Sequence, residues 1–207
     1  MGLVKQKIVQ LAERGKPQHE REYDEIASTL ENSNAAARRQ AVRDIVHCPG
    51  AAKALVSRLK RENEASVREV ILNALARLGD SSAFSGLVDC LRSEDAALRN
   101  ETIETFKQLG HEVDAILQSL LADPDPDMRI FSINILDSQR HAEAESWLIK
   151  VIEQDPHVNV CAAAVDLLCE VASEAAVDPL IQLKARFASE PYIQFASDLA
   201  LKRIREI

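Results

Sequence analysis

The chain is expected to fold as an all-α protein, an α-solenoid of about six helix pairs behind an N-terminal capping helix. Three observations lead there. First, a residue pattern returns at intervals of about 31 residues from Asn32 to Ile207, in the range where self-similar helical periods mean stacked repeats. Taking one anchor per copy gives Arg38, Arg68, Arg99, Arg129, Cys161 and Gln194. Second, the positions around each anchor keep their character. One residue before stand Ala37, Val67, Leu98, Met128, Val160 and Ile193; three after, Ala41, Ile71, Thr102, Ser132, Ala164 and Ser197; seven after, Ile45, Leu75, Phe106, Leu136, Leu168 and Leu201. Offsets of −1, +3 and +7 lie on one face of an α-helix. Third, the composition is 46% hydrophobic but only 4% aromatic, which suits a core of Leu, Ile, Val and Ala between closely stacked helices.

In chain order, residues 1–18 read as the N-terminal cap, with an amphipathic helix over 2–14 broken from the array by GKPQH at 15–19. Such a cap would cover the open apolar end of a solenoid. Residues 19–207 hold the six repeats, in a single domain. Each first helix carries an apolar pair upstream of its anchor: Ile26 and Leu30, Leu55 and Leu59, Leu87 and Leu91, Leu117 and Leu121, Leu148 and Ile152. Polar residues four before the anchor are expected to cap the second helices: Asn34, Glu64, Asp95, Asp125 and, in the last copy, Glu190. Pro126 and Pro191 fit a first helical position. Gly79 and Gly110 read as left-handed helix stops, with Pro49-Gly50 serving copy one. The fifth turn is longer (Asp155, Pro156, His157). The first helix of copy six is expected to begin with Asp178 as cap and Pro179 as first residue, and LKRIREI at 201–207 suits an exposed final helix.

Charge and motifs exclude more than they identify. The net charge of −8 disfavours general binding to polyanionic nucleic acid. No run of 18 apolar residues suggests a membrane span, and MGLVKQKIVQ has no signal-peptide core. Gly2 does not make a myristoylation signal, because position 6 is Gln. Cys48, Cys90, Cys161 and Cys169 show no CxxC spacing and are expected to be reduced, mostly buried thiols in a cytoplasmic protein. Trp147 lies at helical spacing and reads as core, while His47, His141 and His157 are isolated.

The stretch EASVREVILNALARLGDSSAFSGLVDCLRSEDAALRNETIETFKQLG (64–110), with DPDMRIFSINIL (125–136), resembles the HEAT repeat, and in particular its phycobilisome-lyase-like variant. The resemblance spans residues 20–207, and departs from the pattern at Cys161 and Gln194. It implies a right-handed superhelix whose second helices line a concave face, and makes Arg68, Arg99 and Arg129 structural residues that pair with acids of adjacent turns, each pair worth little where exposed. On that face positions +2, +5 and +9 from the anchor would point at a partner. The expected partner-binding residues are Arg43, His47, Asn73 and Arg77, then Glu101 and Glu104, then Phe131 and Asn134, then Asp166 and Glu170, with Ala196, Leu199 and Arg203 at the same register in the last copy. Phe131 would be an apolar anchor in the middle.

Some HEAT-like proteins are enzymes. Deoxyhypusine hydroxylase holds a di-iron centre on four His-Glu pairs; here only His19-Glu20 and His111-Glu112 occur, three repeats apart and at starts of first helices. HEAT-like DNA glycosylases use a strongly basic groove, unlike this acidic chain. No catalytic residue, metal site or cofactor is therefore expected. The expected function is a non-catalytic scaffold or adaptor in bacterial signalling or complex assembly. It would bind another protein, with no nucleic acid or membrane partner, as a monomer or weak homodimer. The alternative is a bilin or tetrapyrrole lyase or chaperone of the phycobilisome-lyase type.

Overall fold

The computed structural model describes residues 18–139 and 143–206. The expected helix at 2–14 and His141 lie outside the described residues, as do the side chains of His19, Glu20, His111 and Ser138. Twelve α-helices and no strand occur among the described residues. They are α1 (Gln18–Thr29), α2 (Ala35–Ile45), α3 (Ala51–Leu59), α4 (Ala65–Leu78), α5 (Ser81–Leu91), α6 (Ala96–Leu109), α7 (Asp114–Leu121), α8 (Pro126–Gln139), α9 (Ala144–Gln154), α10 (Val158–Val171), α11 (Val177–Arg186) and α12 (Pro191–Glu206). In chain order they supply two helices to each expected copy, so the fold class is the all-α solenoid of helical repeats.

The chain divides into two compact units, the first ending at Thr102 and the second beginning at Ile103, within α6. In the first unit α1 packs on α2 and α3 on α4, while α2 also packs on α4 and α3 on α5. In the second unit α7 packs on α8, α9 on α10 and α11 on α12, with α8 on α10, α10 on α12 and α9 on α11. First helices thus lie against first helices and second against second, in two layers within each unit. The buried register is the predicted one: every +3 and +7 residue is buried, and every −1 residue except the half-buried Ala37. The hydroxyls at +3 are reconciled with burial by bonding back one turn, Thr102 Oγ1 to Leu98 O (2.7 Å) and Ser132 Oγ to Met128 O (3.0 Å). Gly86 of α5 lets two first helices approach: a Cβ there would meet Val56 Cγ2 of α3 at 2.1 Å.

The turns repeat a bonding scheme. A polar side chain six before the anchor accepts the backbone N–H two residues on: Asn32 from Asn34, Glu62 from Glu64, Ser93 from Asp95, Asp123 from Asp125 and Asp155 from His157, at 2.8 to 3.1 Å. Asn34, Asp95 and Asp125 then cap their helices as expected. Glu64 does not; it stands at the cap position and accepts the Ser66 hydroxyl (3.3 Å), but takes no helix N–H. Gly79 and Gly110 adopt left-handed conformations (φ 59° and 58°) where the sequence placed helix stops. Gly50 (φ 82°) instead precedes α3 as its cap residue. Copy six also differs from expectation. Helix α11 begins at Val177, before Asp178 and Pro179, because Ser173 caps a 3-10 turn over Glu174–Ala176 that leads directly into it.

Three of the anchor arginines, Arg38, Arg68 and Arg129, are buried at 8 to 9% relative accessibility and Arg99 is half-buried, so the discount for exposed pairs does not apply to the first three. Each donates Nη1 to the carbonyl six residues before it, as Arg99 also does: Asn32, Glu62, Ser93 and Asp123 O, at 2.6 to 3.4 Å. The remaining donors of three of them fork onto a carboxylate of the following copy. Arg38 holds Glu62 (2.8 and 2.8 Å), Arg68 holds Glu101 (2.7 and 2.8 Å) and Arg129 holds Asp155 (2.6 and 3.1 Å). Removing one partner from such a buried fork strands the other charge, at about 3–5 kcal/mol.

In copy five the anchor is Cys161, whose thiol still donates to Asp155 O (3.4 Å). The missing guanidinium is supplied from α11. Arg186 donates Nη2 to Asp155 O (3.0 Å) and Ile152 O (2.7 Å) and Nη1 to Glu153 O (2.6 Å), and lies 4.9 Å from the Phe187 ring. Gln194, the last anchor, donates to Lys184 O and Phe187 O.

Two predictions follow from these bonds. Burial alone would raise the Glu62 carboxyl, but the bonds from Arg38, the Glu64 N–H and Arg58 outweigh it and hold the pKa at about 2, against an ordinary 4.5. A lowered carboxyl stabilises fully above its unfolded pKa and loses that contribution as pH falls from about 4.5 toward about 2. Glu62→Gln should therefore cost about 3 kcal/mol at neutral pH and flatten the acid limb of a stability–pH curve measured by urea unfolding; parallel curves for both proteins would contradict it. Arg186→Gln should cost about 1–2 kcal/mol, whereas Arg205→Gln, at an exposed site, should stay within about 0.5 kcal/mol in thermal melts.

Candidate functional site

The helix register that buries −1, +3 and +7 leaves +5 and +9 pointing away from the core. All six +5 residues are exposed (Arg43, Asn73, Glu104, Asn134, Asp166, Leu199), and so are the described +9 residues His47, Arg77, Gln108, Glu170 and Arg203. The +2 residues are less free. Gln40 is exposed, Val70, Glu101, Phe131 and Ala163 are half-buried, and Ala196 is buried at 3%, so Ala196 is removed from the candidate face.

In the first unit Arg43 on α2 and His47, in the turn just past its end, lie on the same side of the pair as Asn73 and Arg77 of the packed neighbour α4, a polar face with two arginines. Arg43 makes only a long bond to Gln40 (3.5 Å). Glu101, expected on the partner face, is instead the carboxylate that Arg68 grips, because its position brings it within a fork's reach of the preceding anchor. In the second unit Glu104 pairs with Lys107 (2.9 Å) one turn on. Asp166 and Glu170 are exposed on α10, and Asp166 accepts the Tyr192 hydroxyl of α12 (2.6 Å), which raises the Tyr192 pKa. Asn134 is exposed on α8, while Phe131 is half-buried and is not the exposed aromatic anchor expected.

The exposed aromatics lie elsewhere. Tyr192, Phe195 and Leu199 are 52, 66 and 49% exposed, and their spacing puts them on one stripe of α12. The signal was available at +5, where copy six has Leu199 and the other five copies carry polar or charged residues.

A cavity of about 560 Å3 opens between the C-terminal ends of α7 and α9. Its floor is the Arg129–Asp155 fork, and its walls include Leu121, Ala122, Trp147 and Gln154, with Lys150 exposed on the rim. Trp147 is 8% exposed, so it serves the core as expected and also borders this opening.

The four cysteines are free; Cys90 and Cys161 are buried, and Cys48 and Cys169 half-buried. Burial pushes the Cys90 thiol up to about 11 and raises Cys161 and Cys169 as well, so these sulfurs are held as thiols. No helix among the described residues is long and apolar enough to cross a membrane.

Comparison with known proteins places this geometry in a family. No curated protein matches the sequence. Among solved structures, an archaeal HEAT-like repeats protein from Thermococcus onnurineus NA1 is 18% identical, with a TM-score of 0.46, over 96% of this chain and 91% of the other. Human deoxyhypusine hydroxylase in complex with glycerol is 14% identical with a TM-score of 0.45, over 100% and 99% of the two chains. The complex of CpcE and CpcF of phycocyanin lyase from Nostoc sp. PCC7120 gives 15%, 0.35, 92% and 96%. The model of HEAT repeats matches residues 23–112 and again 113–205, and the chain accordingly belongs to the HEAT repeat family.

Proposed function

We propose that the chain is a cytoplasmic, non-catalytic adaptor that binds another protein through the exposed faces of its second helices. The observation that carries this is the constancy of the register: +3 and +7 are buried in all six second helices, and +5 is exposed in all six. The core therefore places no demand on +5 and +9. Yet these positions are not uniform. The first unit presents Arg43, His47, Asn73 and Arg77, and the second presents Glu104, Asp166 and Glu170 together with the α12 stripe. A partner with an acidic segment suits the first face, and one with basic and apolar residues suits the second.

The helices hold these side chains in place before any partner arrives, so little backbone ordering is needed on binding. Affinity would come from few residues, with exposed aromatics such as Phe195 and Tyr192 the strongest candidates. Charged contacts at the rim of such an interface are screened by salt.

The test uses the tagged protein as bait in lysate from its source cells, beside the double variant Arg43→Glu, Arg77→Glu. Both sites are exposed, so the variant should melt within about 0.5 kcal/mol of wild type. The adaptor reading predicts at least one protein enriched by wild type and lost with the variant. Equal capture by both would remove the first-unit face, and no enrichment with either would remove the adaptor reading.

A further inference from the structure

The groove between α7 and α9 has an occupied counterpart in the same unit, between α9 and α11. The helix registers align through their buried residues. Ala144, Trp147, Leu148 and Val151 of α9 match Ala176, Pro179, Leu180 and Leu183 at the start of and along α11. That alignment sets Gln154 against Arg186. In turn, Val113, Leu117 and Leu120 match Ala144, Leu148 and Val151, which sets the carbonyls of Leu121 and Ala122 against those of Ile152 and Glu153.

At the α9/α11 position the guanidinium of Arg186 fills the groove and takes the Ile152 and Glu153 carbonyls at 2.7 and 2.6 Å. At the α7/α9 position α9 supplies Gln154, and the groove stands open at about 560 Å3, in the range of ligand pockets. The two carbonyls that would receive a guanidinium there have no partner among the described residues: Ala122 and Asp123 donate to Ser119 and Leu120, Asp125 donates to the Asp123 side chain, and Pro126 has no N–H. In the first unit Arg61, at the matching register after α3, also reaches the preceding first helix, but there it forks onto the Glu31 carboxylate just beyond the end of α1 (2.8 and 3.2 Å) rather than onto carbonyls.

Two helices end at this groove, so their free carbonyls add partial negative charge that favours a cation. A guanidinium satisfies two neighbouring carbonyls with parallel donors; an ammonium cannot do so with the same geometry. Arg129, at the floor, is already committed to Asp155 and to the Asp123 and Pro124 carbonyls, and does not bind an incoming anion. Of the two cations that line the groove, Arg129 is neutralised by Asp155, and Lys150 on the rim is the one that opposes an incoming cation.

We propose that the α7/α9 groove binds an arginine side chain of a partner polypeptide, in the manner in which Arg186 occupies the α9/α11 groove. This surface lies on first helices, so it is separate from the second-helix faces of the adaptor reading and stands or falls without them.

Trp147 borders the groove and is the chain's one tryptophan, so its emission reports occupancy directly. The probes are blocked pentapeptides, Gly-Gly-Arg-Gly-Gly and its Lys, Ala and Asp counterparts, titrated into the full chain with calorimetry in parallel. The Arg peptide should give a saturable change and bind about tenfold tighter than the Lys peptide, and the Ala and Asp peptides should give none. Gln154→Arg places a guanidinium on α9 at the register of Arg186 and should abolish the response while keeping the far-UV spectrum and melting temperature. Lys150→Gln should tighten Arg binding, because it removes the opposing charge. Equal response to the Arg and Lys peptides, retained binding in Gln154→Arg, or a preference for the Asp peptide that weakens in Lys150→Gln would each overturn the proposal. Arg43→Glu with Arg77→Glu should leave the peptide response unchanged, which separates failure here from failure of the adaptor reading.

Discussion

A buried guanidinium cannot shed its charge, and this constraint organises the repeats. Arginine stays protonated at any pH the protein meets, and it carries five donors in a fixed plane. Burial at the start of a second helix therefore requires acceptors on two sides. One side is the carbonyl six residues back, which fixes the turn of the same copy. The other is a carboxylate of the following copy, which fixes the step between helix pairs. Glu62 and Asp155 each serve twice, accepting the arginine fork and also a backbone N–H of their own turn. A single side chain thus links the conformation of one turn to the packing of the next pair, and the apolar register then fills the space between layers.

The fold was readable because periodicity is a property of sequence. The −1, +3 and +7 positions predict burial almost without exception, since a residue's place on a helix follows from its spacing alone. The site was less readable, because it depends on which side chains find each other across copies. The anchor arginines are identifiable, but spacing does not tell whether Arg68 takes Asp95 or Glu101; the structure gives Glu101 the fork and leaves Asp95 at 3.7 Å. Arg186 is a sharper case. It stands outside the repeat pattern, and only the approach of its helix end to α9 shows that it replaces the guanidinium that Cys161 lacks. The exposure of the aromatics is unreadable for a similar reason: Phe131 is half-buried and Phe195 is exposed. RIFSINIL is apolar nearly all round, and which residue is covered depends on neighbours that periodicity does not place.

What the core does not use is available for recognition. Small and aliphatic residues at the buried register leave +5 and +9 unconstrained, and those positions differ in charge between the two units. At the ends of the first helices of the second unit, Arg186 takes the carbonyls of the neighbouring helix end, whereas at the register of Gln154 the groove is left open. The same scaffold rule therefore yields two kinds of surface, one written on exposed helix faces and one left between helix ends.

The central claim is that the anchor fork couples one copy to the next. It is tested most directly by a double-mutant cycle on Arg129 and Asp155. Asp155→Asn retains an oxygen for the His157 N–H while removing the charge, and Arg129→Met removes the fork while keeping an unbranched chain. Unfolding free energies of the wild type, both single variants and the double variant should give a coupling of about 2 kcal/mol or more, with the double variant much less destabilised than the sum of the singles. Additivity within about 0.5 kcal/mol would contradict the account, and would leave the stacking of these helix pairs to the apolar register alone.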